Sequence, residues 1–305
     1  MNEIEKKIIE EVADLHETPM GAYNFRVNSA LDSRATTENV DIRSKEDGTG
    51  IDVIVKPGTK RESVHIPVVI SASGLKETVY NDFYVGEDAD VLIVAGCGIH
   101  NCGDQDSEHD GVHRFFLEKN ARVRYVEKHY GEGDGRGKRI LNPVTEATLK
   151  EGASMEMEMV QIKGVSDTVR VTNASLHENA SLTVHERLMT HEDQSAVSEY
   201  TVELVGDGSS ANVVSRSVAR DRSYQKFISR IHGKAASAGH SECDSIIMDQ
   251  AKIESIPEII ASSTEAELIH EAAIGKIAGD QIVKLMTLGL TEQEAEEEIV
   301  NGFLR

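Results

Sequence analysis

Three groups of residues carry side chains able to bind a metal or act as nucleophiles. The first is Gly96-Cys97-Gly98-Ile99-His100-Asn101-Cys102-Gly103, followed by Asp104, Asp106, Glu108, His109, Asp110 and His113. Thiols and imidazoles at this density are soft and borderline ligands for zinc, iron or an iron–sulfur species. Cys-x-x-His-x-Cys is not a zinc-ribbon spacing, and on a strand Cys97 and His100 converge only through a turn. Two readings therefore stand: a metal site of Cys97, His100 and Cys102, or a structural, acid-rich loop. The second group is Gly239-His240-Ser241-Glu242-Cys243-Asp244-Ser245, a thiol among carboxylates at the entry to an apolar strand. Glu242 and Asp244 oppose thiolate formation unless a cation is close, so Cys243 reads as an inert core residue or as a ligand or sulfur carrier. The third is His270-Glu271, where an imidazole beside a carboxylate can ligate iron, move protons or join a structural network.

Other strings exclude chemistry. Gly131-Glu132-Gly133-Asp134-Gly135-Arg136-Gly137 lacks the Gly-Lys-Ser/Thr ending of a phosphate loop and reads as a mobile turn. There is no His-Glu-x-x-His and no Gly-x-Ser-x-Gly, which removes the usual zinc-protease and serine-hydrolase signatures. The 305 residues carry 32 Lys and Arg against 53 Asp and Glu, a net charge of −21 that repels nucleic acid and anionic lipid. No apolar stretch is long enough to span a bilayer, and Met1–Leu15 is charged rather than signal-like, so the expectation is a soluble, cytoplasmic protein. Three cysteines do not describe a secreted disulfide framework.

The elements that must position these groups are strands. Val85-Gly-Glu-Asp-Ala89-Asp-Val91, Leu117-Glu-Lys-Asn-Ala121-Arg-Val123, Leu149-Lys-Glu-Gly-Ala153-Ser-Met155 and Leu176-His-Glu-Asn-Ala180-Ser-Leu182 repeat one phrase, with a weaker copy ending in Ala211-Asn-Val213. The alanines recur about every thirty residues, a solenoid period. Alternating runs such as Ser181–His185 and Tyr200–Leu204 favour strands over helices, with alanine at a tight inward corner. Ile4, Ile8, Val12 and Leu15 predict an amphipathic N-terminal helix. Between Met20 and Thr59 only Ile51–Val55 reads as a strand. After Gly275, Asp280 is expected to cap one helix, and Thr291-Glu-Gln-Glu294 to box the start of another, making a helical hairpin.

Ser241–Ser245, Ile256-Pro257-Glu258, His270-Glu271-Ala272, Gly279-Asp280-Gln281, Leu288–Thr291 and Ile299–Phe303 together resemble the C-terminal half of SufB/SufD proteins of the SUF iron–sulfur cluster assembly system. Gly96–Arg114 is similar to short archaeal members. The resemblance implies a mainly β fold, a right-handed parallel β-helix flanked by an N-terminal helix and a C-terminal helical hairpin. It divides the chain into an N-terminal helix with an irregular segment (1–60), the β-helix (61–269) and a helical region docking an ATPase (270–305). The resemblance also implies a scaffold rather than an independent enzyme, dimerised through the β-helix as a homodimer or a SufB/SufD-type heterodimer. A SufC-like ABC ATPase would sit on the C-terminal helices, and a sulfur donor would be a further partner.

The residues matching the family's functional positions are Cys243 and Glu271 of the B-type subunit and His270 of the D-type subunit. They are expected to bind iron and a transient iron–sulfur cluster, with Cys243 of one subunit approaching His270 or Glu271 of the other. The chain is short beside bacterial B subunits and lacks their extended N-terminal portion with its extra cysteine motif. The Cys97, His100 and Cys102 group is the expected substitute for sulfur entry. The rivals are a β-helix carbohydrate-active enzyme, disfavoured by 4% aromatic residues and no Trp, and a purely structural subunit.

Overall fold

Alternation of apolar and polar residues folds this chain into stacked coils, because each strand buries one face against the strand across the coil. The computed structural model describes residues 1–305. Helix α1 (Glu3–Ala13) is followed by twenty-two strands, then by α2 (Gly279–Met286) and α3 (Glu292–Phe303). The strands are shared between a 12-stranded and a 10-stranded sheet, and from Ser154 onward successive strands alternate between them. Ser154–Lys163, Ser181–Thr190, Ser210–Ala219, Ala238–Ile247 and Glu267–Gly275 lie side by side in the first. Asp167–Leu176, Ser195–Leu204, Tyr224–Gly233 and Lys252–Ala261 do so in the second. These neighbours pair in parallel, as the period of the repeat requires. The result is a β-solenoid with a helix at one end and helices at the other.

The repeated phrase marks the corners. Ala89, Ala121, Ala153 and Ala180 are all buried there, each following a residue with positive φ: Asp88, Asn120, Gly152 and Asn179. The left-handed residue makes the bend and the small side chain fits inside it. The weaker fifth copy is set differently from the sequence reading. Leu182 pairs with Ala211, so Ser209 takes the corner, and its hydroxyl donates to the Gly206 carbonyl at 2.6 Å.

Two segment boundaries also differ. The stretch up to residue 60 is not irregular: it holds the strands Ala22–Val27, Ala30–Ala35, Val40–Ser44 and Gly50–Val55. Two of these, Ala30–Ala35 and Val40–Ser44, pair antiparallel with their neighbours at the start of the solenoid. Ala30–Ala35 buries none of its residues fully, which left it without a readable apolar alternation. At the other end the last strand runs through Gly275, so His270 and Glu271 belong to the solenoid and not to the helical tail.

Helix α1 opens with a capping box from Asn2 and Glu5 and packs Ile8, Ile9 and Val12 on the outside of the first sheet, while Ile4 stays exposed. A side chain at Gly96 would collide with Val12, and one at Gly98 with Ile8. The glycines around Cys97 are therefore the seat of α1. In the tail, α2 starts at Ala278 without a side-chain cap, since Asp280 lies inside its first turn. Thr291 and Glu294 form the expected capping box on α3.

Candidate functional site

Strand alternation separates the first group of ligand-type residues. Cys97 points into the solenoid and is buried, whereas His100, three residues on, lies on the outer face with the exposed Cys102. No single ion is shared by all three. Outside, Cys102 Sγ stands 3.0 Å from His100 Nε2, and His100 Nδ1 stands 3.2 Å from Glu132 Oε1. Lys7 and the Tyr130 hydroxyl also donate to Glu132, at 3.0 and 2.8 Å. Burial raises the Glu132 carboxyl, but these donors outweigh it and hold it below its usual value. Thiol, imidazole and carboxylate in this order are the parts of an activated nucleophile.

Inside, Cys97 joins a polar seam. Burial would raise its thiol, yet the charge and hydrogen bonding of His109 and His129 bring it below the ordinary value. His109 donates from Nδ1 to Glu77 at 2.9 Å. Burial opposes a charge on His109, but Cys97 and Glu77 overcome it and raise the imidazole to about 10. Further along, Glu127 accepts from Arg170, whose Nε lies 3.7 Å from Glu186. Glu186 accepts from Ser198 at 2.5 Å, Ser215 at 2.7 Å and Tyr200 at 3.0 Å. Apart from the partly buried Glu77, all of these residues are buried. In-register pairing along the first sheet makes the seam: Glu186 faces Ser215, which faces Cys243, and Ser217 beside them donates to or accepts from Ser245 at 2.9 Å. Residues such as Glu127, Arg170 and Glu186 escape sequence reading because their partners lie in other coils.

Cys243 ends this seam. It is 1% exposed and its Sγ lies 3.7 Å from Ser245 Oγ. Burial raises the thiol, and the hydroxyls of Ser255 and Ser245 pull the other way. On the final strand Ser241 pairs with His270, Glu242 with Glu271 and Cys243 with Ala272. His270 therefore shares the inner face with Cys243, as its diagonal neighbour, and Glu271 lies on the outer face beside Glu242. The structure brings Cys243 and His270 to one side of the sheet and takes Glu271 to the other. Around them Ser229 Oγ, Ser241 Oγ and His270 Nδ1 are buried without a hydrogen-bond partner. Orphaned polar atoms of this kind are costly unless a guest satisfies them.

This end of the solenoid is open. The last strand of each sheet, Lys252–Ala261 and Glu267–Gly275, has one unpaired edge. Ile256, Ile259, Ile260, Ile269 and Ile274 are each more than 40% exposed there. In the tail α2 buries no residue, and Val283, Met286 and the following Leu288 are exposed. No helix is long and apolar enough to cross a membrane.

Comparison with known proteins agrees with this architecture. Residues 73–303 match the family described as SUF system FeS cluster assembly, SufBD core domain. An iron-sulfur cluster assembly SufBD family protein of Methanothermobacter thermautotrophicus strain Delta H is 29% identical over 282 residues, covering 90% of this chain and 67% of that protein. A homologue from the Winter strain is 30% identical, with 77% of this chain and 57% of the relative covered. A relative in Methanocaldococcus jannaschii is 26% identical over 88% of this chain and 85% of its own length. With the two open edges, the buried thiol and the parallel coils already described, the match over most of its length shows that this chain belongs to the SufBD core family of iron–sulfur cluster assembly proteins.

Proposed function

We propose that this chain is a scaffold, not an independent enzyme, on which a nascent iron–sulfur cluster is built at Cys243 and His270. The observation that carries the reading is the pair of unpartnered polar atoms, Ser241 Oγ and His270 Nδ1, beside a buried thiol on one face of the final strands. Thiolate and imidazole are competent ligands for iron. Iron arriving as cargo supplies the positive charge that the raised Cys243 thiol needs in order to ionise.

Two open strand edges with exposed isoleucines favour end-to-end association with a second copy or a D-type subunit, because pairing covers both the edges and the apolar surface. The unburied face of α2 favours a partner on the tail, and membership of the family makes an ABC-type ATPase the candidate. Nucleotide binding there would draw on the difference in nucleotide affinity between two states to shift the final coil and open Cys243, which is sealed in the resting chain. The Cys102–His100–Glu132 surface group is suited to receiving sulfur from a donor.

The test is anaerobic incubation with ferrous iron and sulfide, with and without a co-purified ATPase. Iron–sulfur visible absorbance should develop in the parent protein, vanish in Cys243→Ala and weaken in His270→Ala. An undiminished chromophore in Cys243→Ala would overturn the assignment.

A further inference from the structure

The final two strands of the first sheet carry another set of ligand-type side chains, on the face opposite Cys243. His240 and Glu242 alternate outward along Ala238–Ile247, and Glu271 stands directly across from Glu242 on the last strand. Ligand atoms of the three all lie within 4.8 Å of one another. His240 Nε2 is 3.8 Å from Glu271 Oε2, too far for a hydrogen bond. Two ligands about 2.1 Å from a common ion stand roughly 3 to 4 Å apart, so the separation admits a shared cation.

A second observation concerns the direction of the imidazole. His240 Nδ1 lies 2.9 Å from Asn212 Oδ1, in the neighbouring strand. An amide oxygen only accepts, so Nδ1 carries the proton and, in the neutral ring, Nε2 turns its lone pair toward the carboxylate. A lone pair facing carboxylate oxygens is repulsive until a metal ion lies between them or the ring takes a second proton. Orientation of a histidine ligand by an outer hydrogen bond is the arrangement that metal sites use. Glu242 lines a groove with Glu158, His185, Arg216 and Arg305, and His240 and Glu271 are 32% and 67% exposed, so ions can reach all three.

We propose that His240, Glu242 and Glu271 form a thiolate-free binding site for a divalent metal ion of the ferrous or zinc class on the outer face of the solenoid. One imidazole and two carboxylates are borderline and hard ligands that suit such ions. The site stands whether or not Cys243 holds a cluster, because the sheet itself separates the two.

The experiment uses the full chain and cobalt(II) as a spectroscopic probe, with zinc in competition. One cobalt per chain should bind, showing ligand-field bands but no sulfur-to-metal charge-transfer band, and should persist in Cys243→Ser. Asn212→Ala should weaken binding by about 10- to 100-fold, the usual effect of losing an orienting partner. Glu271→Gln should weaken it at least as much with an unchanged far-ultraviolet circular dichroism spectrum, since Glu271 is 67% exposed. Unchanged affinity in both variants would overturn the proposal. So would a charge-transfer band lost in Cys243→Ser, or the absence of stoichiometric binding, which would leave His240 as a protonated ion-pair partner only.

Discussion

Replacing Arg170 with Met should be among the most damaging single changes in the interior, because one guanidinium serves two buried carboxylates. Arg170 is 3% exposed, bonds Glu127 and stands 3.7 Å from Glu186. Removing one partner of a buried pair costs about 3 to 5 kcal/mol, most of it the penalty of leaving the other charge unpaired. Burial pushes the Glu127 carboxyl up, but Arg170 first and His129 next pull it well below the usual carboxylate range. A depressed folded value contributes stability that is present above the unfolded value of about 4.5 and lost as pH falls through the folded one. In Arg170→Met the same carboxyl loses its main counter-charge and takes up a proton more readily. The destabilisation should therefore be largest near neutrality and shrink in acid. Urea unfolding followed by circular dichroism, at neutral pH and at about pH 4.5, reads both quantities. Adding Glu127→Gln should recover about 0.5 to 3 kcal/mol relative to the sum of the single changes. Strictly additive single variants, or a neutral-pH loss of less than about 1 kcal/mol, would refute the view that this pair is coupled in the interior.

Two further outcomes follow from the remaining titratable groups. Burial holds His113 neutral down to about 4, with Tyr125 OH 2.5 Å from its Nδ1. The unfolded chain therefore takes up this proton first, and stability should fall by up to about 1.4 kcal/mol per pH unit between about 6.5 and 4; His113→Gln should flatten this acid limb in urea titrations, and an unchanged limb would count against it. In the native protein iodoacetamide should modify Cys102 before the buried Cys97 and Cys243. His100→Ala should slow that reaction by about tenfold or more, and an equal rate across the pH range would remove His100 as its base.

Much of the solenoid was legible because a stacked coil repeats its corner: Leu at the end of a strand, a left-handed residue, then a buried alanine. Cys243 was legible as a strand residue with a raised thiol, though burial and not its acidic neighbours is the main cause. That, within one chain, Cys243 shares a face with His270 and not with Glu271 was not legible, because adjacency in sequence reads as proximity in space. On a strand it means the reverse, and the last strand places its imidazole and its carboxylate on opposite faces. Gly96 and Gly98 likewise looked like part of a ligand loop, when what they admit is α1. The buried seam was illegible for a different reason. Glu127 and Arg170 are each unremarkable polar residues in an alternating strand, and only the stacking of coils shows that both alternate inward.

That stacking also couples the two faces of the final strand. Glu267–Gly275 pairs only with Ala238–Ile247, its other edge being free, and Leu268 packs it on the core. Four residues after its start comes Glu271, facing out toward His240; His270, just before it, faces in beside Cys243. The chain then passes through Gly275 into α2 and α3, and α3 is anchored by Val300 and Leu304 against Val218 on the outside of the same sheet. A pull on the tail thus has two routes into this strand: along the backbone at Gly275, and across the sheet beneath α3. A shift of register or tilt in one edge strand would move the inner imidazole and the outer carboxylate together, since a rigid pleat cannot displace one face without the other. In the proposed outer site, a metal bridging His240 and Glu242 to Glu271 would brace the last strand against its neighbour, on whose other face Cys243 lies.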